Sequence, residues 1–205
     1  MFVDDCDLFL TAGQPLDTFC VDWLKAAWTE VDVRTIAEVF DYVSEHHAGQ
    51  VRKGSQAPYV IHPVHVAAIL GEYYGTNLSV LRAALCHDLV EDTAVTLDDI
   101  EERYGPEVRE LVDGVTTPVY EGLTRKEKVQ AEAVRFIPLP GIVHDIKRAD
   151  NCCNVVGMCT AKPSFAAQYA REKRIIHRGM ERGTPALEER VLDAIAFSEG
   201  FGGWS

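Results

Sequence analysis

The sequence predicts an all-α fold. Apolar residues recur at helical spacing along most of the chain, sustained strand-like alternation is missing, and Pro, Gly and a Thr/Asp capping pair stand where the stripes begin and end. With 205 residues, 47% of them apolar and 25% charged, the chain is long enough for one domain with a sizeable core and too short for two ordinary domains.

The elements follow in order. Cys20, Leu24, Ala27 and Trp28 form an i, i+4, i+7, i+8 stripe inside an N-terminal helical extension, residues 1–33, ahead of a main domain at 34–205. The extension, with Trp23 and Trp28, is apolar enough either to pack on the domain or to make a homo-oligomer contact. Ile36, Val39, Phe40 and Val43 mark a helix running towards His46-His47, and the polar segment from Gly49 to Pro58 reads as a loop. Pro63 suits the first turn of the next helix, whose stripe is Val66, Ile69, Leu70 and Tyr73. Leu81, Ala84 and Leu85 open a further buried face that leads into His87-Asp88. Thr96 and Asp99 form a capping box for a short helix closed by Gly105, and Val108, Leu111, Val112 and Val115 stripe the next one. Residues 116–141, with Pro118, Gly122, Pro138, Pro140 and Gly141, read as an irregular, mobile connection. Helix returns with Val143, Ile146 and Ala149, then from Phe165 to Met180, and after Thr184-Pro185 with Leu187, Val191, Leu192 and Ile195.

Twenty Lys and Arg against 32 acids give a net charge of −12, a surface that repels nucleic acid and anionic membranes at long range. A polyanionic substrate is still compatible with a locally positive site. No stretch is apolar enough to span a bilayer, and Met1-Phe2-Val3-Asp4-Asp5 is acidic where a signal peptide is basic, so a cytoplasmic protein is expected. Cysteines at 6, 20, 86, 152, 153 and 159 lack the spacings of a zinc knuckle or a thioredoxin-type motif, and reduced, mostly buried thiols are expected.

Chemistry concentrates in His87-Asp88-Leu89-Val90-Glu91-Asp92. On a continuous helix His87 shares a face with Glu91, and Asp88 with Asp92. Three acids and a histidine beside an apolar run are costly unless something positive sits there, and a divalent metal meets that need. One face supplies too few ligands. His62, before Pro63, and Asp150, in the stripe Ile146-Lys147-Arg148-Ala149-Asp150, are the further candidates. Two imidazoles and two carboxylates suit manganese, iron or zinc and leave open positions for water and substrate. Singly, each has a plainer alternative: a helix end for His87-Asp88, a cap or core residue for His62, an ion-pair partner of Arg148 or Arg82 for Asp150. His46, His65, His144 and His177 carry no such pattern, and packing or surface roles are expected of them.

The stretches His47-Ala48-Gly49-Gln50-Val51-Arg52-Lys53, Pro58-Tyr59-Val60-Ile61-His62-Pro63, Ala83 to Thr93, Tyr104 to Val108, Leu111 to Thr116 and Ile146 to Asn154 occur in an order that resembles the Rel/Spo-type alarmone hydrolase domain. That domain is a branch of the HD superfamily, and the resemblance covers about residues 34 to 155. It implies an HD-type helical bundle and metal ligation by His62, His87, Asp88 and Asp150. It implies that Glu91 and Asp92 position and activate the attacking water. Arg52 and Lys53 resemble the pair beside the purine and phosphates, and Asn154 a ribose contact. Family members use manganese and remove the 3′-pyrophosphate of guanosine tetra- or pentaphosphate, and no synthetase or regulatory domain follows here, as in stand-alone small alarmone hydrolases.

Three departures matter. The loop from Arg52 to His62 is one residue longer than in long bifunctional enzymes, Cys152-Cys153 replaces bulkier residues, and the segment after Thr116 does not align. Arg125, Lys126 and Tyr169 are candidates for phosphate contact, a solvated or packing role being the alternative for each. Lys147 and Arg148 flank Asp150. One helix should not point both inward, so Lys147 is taken as the site member and Arg148 as solvated. Two other readings stand beside the alarmone hydrolase. One is a related phosphohydrolase acting on an adenosine alarmone or on the 2′-phosphate of NADPH. The other is a non-catalytic nucleotide sensor, whose expected mark, loss of a ligand or of the Glu91-Asp92 pair, is not found.

Overall fold

The computed structural model describes residues 33–52 and 57–200. The expectations for the extension, with its Cys20–Trp28 stripe, and for Lys53 lie outside the described residues. Helices α1 (Val33–His46), α2 (Ile61–Tyr74), α3 (Leu78–Cys86) and the single turn α4 (Leu89–Asp92) make the first half. They are followed by α5 (Leu97–Tyr104), α6 (Pro106–Val115), α7 (Arg125–Phe136), α8 (Gly141–Ala161), α9 (Pro163–His177) and α10 (Pro185–Gly200). Among the described residues no strand forms, and the α1–α2 loop is pinned by an antiparallel bridge between Val51 and Pro58.

Helix α8 is the axis of the fold. Every residue from Val143 to Cys152 is buried, charged ones included, because α10, α9, α2, α6 and α3 all pack against it. A helix without a solvent face in that stretch has to satisfy its polar side chains internally. The stripes expected from the sequence supply the surrounding core: Ile36, Val39 and Val43 of α1, Val66, Ile69 and Leu70 of α2, Val108, Leu111, Val112 and Val115 of α6, and Leu187, Val191 and Ile195 of α10. Thr96 and Asp99 do form the capping box of α5, and Gly105 ends that helix at φ 89°, a left-handed value that glycine adopts without strain.

Four expectations need correction. Residues 116–141 are not one irregular connection, since α7 occupies 125–136, opened by a second capping box between Thr124 and Glu127. Its buried positions are only Glu132 and Phe136, too few to show as an apolar stripe. The helix of Leu81–Leu85 does not run on through the acids; α3 stops at Cys86, and His87-Asp88 form a turn before α4, although both keep right-handed backbone angles. Helix α9 ends at His177 rather than Met180. There Gly179 passes so near Ala133 that a Cβ would come within 1.8 Å of its carbonyl oxygen, which a regular helix carrying a side chain would not tolerate. Finally, Arg148 is not solvated but wholly buried. Its guanidinium donates to Asp145 Oδ1 at 2.9 Å and to the carbonyls of Arg182 at 2.6 Å and Met180 at 2.7 Å. Lys147 and Arg148 both point inward because α8 has partners on all sides.

Candidate metal centre and active site

Three elements bring the ligand candidates together. His62 stands in the first turn of α2, His87 and Asp88 at the break between α3 and α4, and Asp150 at the middle of α8. One ligand atom each from His62, His87 and Asp88 lies within 4.8 Å of the others. Asp150 Oδ1 joins them at 3.1 Å from His62 Nε2 and 3.8 Å from His87 Nε2. Asp88 Oδ2 lies 3.1 Å from His87 Nε2 and 3.5 Å from His62 Nε2. His87 and Asp88 sit at the turn where α3 gives way to α4, with right-handed backbone angles at both.

The electrostatics favour a cation. The two imidazoles and Asp150 are buried, at 1%, 2% and 3% exposure, so two carboxylates and two rings share a poorly hydrated space. Burial pulls the His87 pKa down, but Asp88 and Asp150 together outweigh it and push it up to about 10. Burial prevails at His62 and lowers its pKa in spite of Asp150. Burial would raise both aspartates, yet His87 beside Asp88 and Lys147 beside Asp150 hold them well below the usual carboxylate range. A proton on one ring thus serves where a cation would. His87 Nδ1 lies 2.7 Å from the Ala84 carbonyl, which orients Nε2 towards the carboxylates, and Nε2 makes its 3.1 Å approach to Asp88 without hydrogen-bond alignment. A ring held by a backbone carbonyl with its other nitrogen free to ligate is the usual arrangement of a metal-binding histidine. The donor set therefore fits a divalent ion.

Glu91 and Asp92, in α4, stand at the solvent-facing edge. The Thr117 N–H donates to Glu91 Oε1 at 2.7 Å, so the loop after α6 sets the direction of that carboxylate. Burial of the carboxyl end raises the Glu91 pKa, with Lys147 and the Thr117 amide opposing. Lys147 Nζ is 3.0 Å from Asp150 Oδ2, and its ammonium faces Glu91 and Asp88 as well. Burial would lower the Lys147 pKa, but these three acids raise it, so the ammonium stays charged inside the site.

The nucleotide-facing candidates divide. Arg52 Nη2 donates to Asn154 Oδ1 at 3.2 Å, and Asn154 Nδ2 donates in turn to Asp150 Oδ1, so Arg52, Asn154 and Asp150 form one chain of contacts. Tyr169 is half-buried on α9 beside Phe165 and Lys173, and none of its described contacts reaches the four converging side chains. Arg125 is engaged by Glu172 at 2.7 Å and lies over the Phe165 ring. Tyr59, part of the Pro58–Pro63 motif but given no role by sequence reasoning, donates its hydroxyl to Asp88 Oδ2 at 2.5 Å. Adjacency to His62 in sequence was the signal available; the partner, 29 residues away, is set by tertiary structure.

The HD-domain family model matches residues 40–176, more than half of the chain, and the chain belongs to that family. It is homologous to the SpoT/Rel proteins. It is 36% identical over 178 residues to the guanosine-3′,5′-bis(diphosphate) 3′-pyrophosphohydrolase of Vibrio cholerae, covering 82% of this chain and 25% of that one. The chain thus spans about a quarter of the length of the long relatives, the SpoT synthase/hydrolase of Escherichia coli among them. The mouse (Mus musculus) protein of the same activity name, MESH1, is 38% identical over 164 residues, covering 76% of this chain and 90% of that one. A solved structure of a metazoan SpoT ortholog that hydrolyses ppGpp superposes with a TM-score of 0.71 at 28% identity, over 80% of this chain and 94% of its own. No helix among the described residues is long and apolar enough to cross a membrane.

Proposed function

We propose that the chain is a metal-dependent hydrolase that removes the 3′-pyrophosphate of guanosine 3′,5′-bis(diphosphate) or its pentaphosphate, giving GDP or GTP. The observation that carries the reading is the convergence of His62, His87, Asp88 and Asp150 beside Glu91 and Lys147, in a chain homologous to proteins named for that activity. His62, His87, Asp88 and Asp150 would hold the ion, manganese being the proposed one. Bound there, it would supply a lowered water pKa and offset charge on phosphoryl oxygens.

The chain's own residues do the rest. Glu91, aimed by the Thr117 amide, accepts the proton of the attacking water, and Asp92 beside it helps to orient that water. The water oxygen bonds to the phosphorus linked to the 3′ oxygen, the P–O3′ bond breaks, and the released oxygen takes a proton from solvent. The Lys147 ammonium offsets negative charge at the phosphoryl group. Arg52, with its planar guanidinium anchored through Asn154, faces the purine and phosphates. Lys53, Asn154 and Tyr169 complete the proposed nucleotide contacts, in a cytoplasmic enzyme.

The test is product analysis on manganese-loaded protein supplied with ppGpp, ppApp and NADPH, with pyrophosphate and orthophosphate detected separately. Pyrophosphate and GDP from ppGpp are expected. Orthophosphate from NADPH, or turnover of ppApp alone, moves the substrate; no turnover by metal-bound protein refutes the enzyme reading.

A further inference from the structure

Tyr59 is half-buried on the loop before α2. The Asp88 oxygen that accepts its hydroxyl is the one nearest the two imidazoles. A carboxylate oxygen has two lone pairs, so it can face a cation with one and accept a hydroxyl with the other. The ring that carries the hydroxyl is held from several directions. His47 is tilted against it at 4.8 Å between centroids, His62 meets it edge-on at 5.8 Å, and the Arg52 guanidinium lies over it at 5.8 Å. The backbone is fixed too: the Tyr59 N–H donates to the Gln50 carbonyl at 3.0 Å, and the His62 N–H donates to the Tyr59 carbonyl at 2.9 Å. Gln50 completes the frame, lying 2.9 Å from His47 Nδ1 through its side-chain oxygen and donating its amide to the Asp92 carbonyl at 3.0 Å.

We propose that Tyr59 is a positioning residue, whose hydroxyl fixes Asp88 with Oδ2 towards the imidazoles and thereby sets the affinity of the site for its divalent ion. The inference rests on the metal reading above. Carboxylate ligands held by outer hydrogen bonds lose metal affinity by about 10- to 100-fold when the outer partner is removed. The ring also lies under Arg52, so the loop that faces the nucleotide and the carboxylate that faces the metal share one rigid support.

The experiment is a manganese titration by calorimetry of the full chain, Tyr59→Phe and Tyr59→Leu, with turnover against metal concentration. Phenylalanine keeps the ring contacts and removes only the hydroxyl. Tyr59→Phe should bind manganese about tenfold or more weakly and need correspondingly more metal for half-maximal rate. Its kcat at saturating metal should return to the wild-type value, and its melting temperature in chelator should be unchanged. Tyr59→Leu should add a rise in KM for the nucleotide. Wild-type manganese affinity in Tyr59→Phe overturns the proposal, as does a kcat loss that saturating metal does not restore, the mark of a merely structural role. If the wild-type chain binds no divalent ion, the metal reading itself fails and this proposal falls with it, a result distinct from equal binding by both proteins.

Discussion

Asp150 and Glu91 show how neighbouring carboxylates acquire different environments, and with them the different roles proposed for each. Asp150 is buried between Lys147, His62 and Asn154, so it stays ionised and suited to ligation. Glu91 is held by the Thr117 amide at the exposed edge of the site, its carboxyl end partly buried and its pKa raised, so that a proton can come and go. Changing Glu91 to Gln should leave manganese stoichiometry intact and lower kcat by about 10²- to 10⁴-fold, read by steady-state kinetics beside equilibrium dialysis. His62→Ala or Asp88→Ala should instead abolish metal binding and turnover together. Asp88 and Asp150 raise the His87 pKa to about 10. At neutral pH that ring is protonated, and an ion must displace the proton to ligate. Manganese affinity should therefore climb as pH rises towards 10, with proton release visible as a dependence of the calorimetric heat on the buffer's ionisation enthalpy. An affinity flat from pH 6 to 9 would show that the ring binds no proton there.

Helix α8 shows why some of the architecture could be read from the chain and some could not. Val143, Ile146 and Ala149 announce a helix by period alone, and so do the stripes of α1, α2, α6 and α10. Arg148 does not announce its burial, because a charged side chain goes inside only when tertiary partners offset its charge and take up most of its donors. Those partners, Asp145 and the carbonyls of Arg182 and Met180, come from one turn of the same helix and from a loop more than thirty residues away. The same holds for Tyr59 and Asp88, whose contact has no local sequence mark. Helix α7 was hidden for the opposite reason, a face too polar to show a stripe. The four candidate ligands were readable because a His-Asp pair followed by acids, and an Asp inside an apolar run, are hard to place without a cation. Their convergence at an interrupted helix was not, since the interruption leaves right-handed backbone angles on both residues. Arg148→Ala would leave the buried Asp145 carboxylate without its cationic partner, with only the Tyr74 hydroxyl and the Thr184 amide as donors. It should cost about 3–5 kcal/mol in urea unfolding, the range for a buried pair that loses one partner. Thr124→Ala removes only the exposed cap of α7 and should cost about 1 kcal/mol.

The molecule as a whole carries a net charge of −12, yet the substrate proposed for it is a polyanion. Arg52 and the buried Lys147 supply local positive charge, and a divalent ion among Asp88, Asp150 and the two imidazoles would reverse the sign of the deepest part. Because α2, the α3–α4 turn and α8 each contribute to that cluster, an ion there would add a further tie between helices that already pack on one another. Ligand that binds the folded chain alone stabilises it by mass action, about 2.7 kcal/mol at a hundred times its dissociation constant. Chelator should accordingly lower the melting temperature of the wild-type chain and leave that of His62→Ala unmoved. The most direct measurement is anomalous diffraction from a crystal grown with manganese, recorded at the manganese edge. A single strong peak among His62, His87, Asp88 and Asp150 is the expected result. A map with no peak there, or with its strongest peak elsewhere on the chain, would contradict the metal centre on which the proposed chemistry stands.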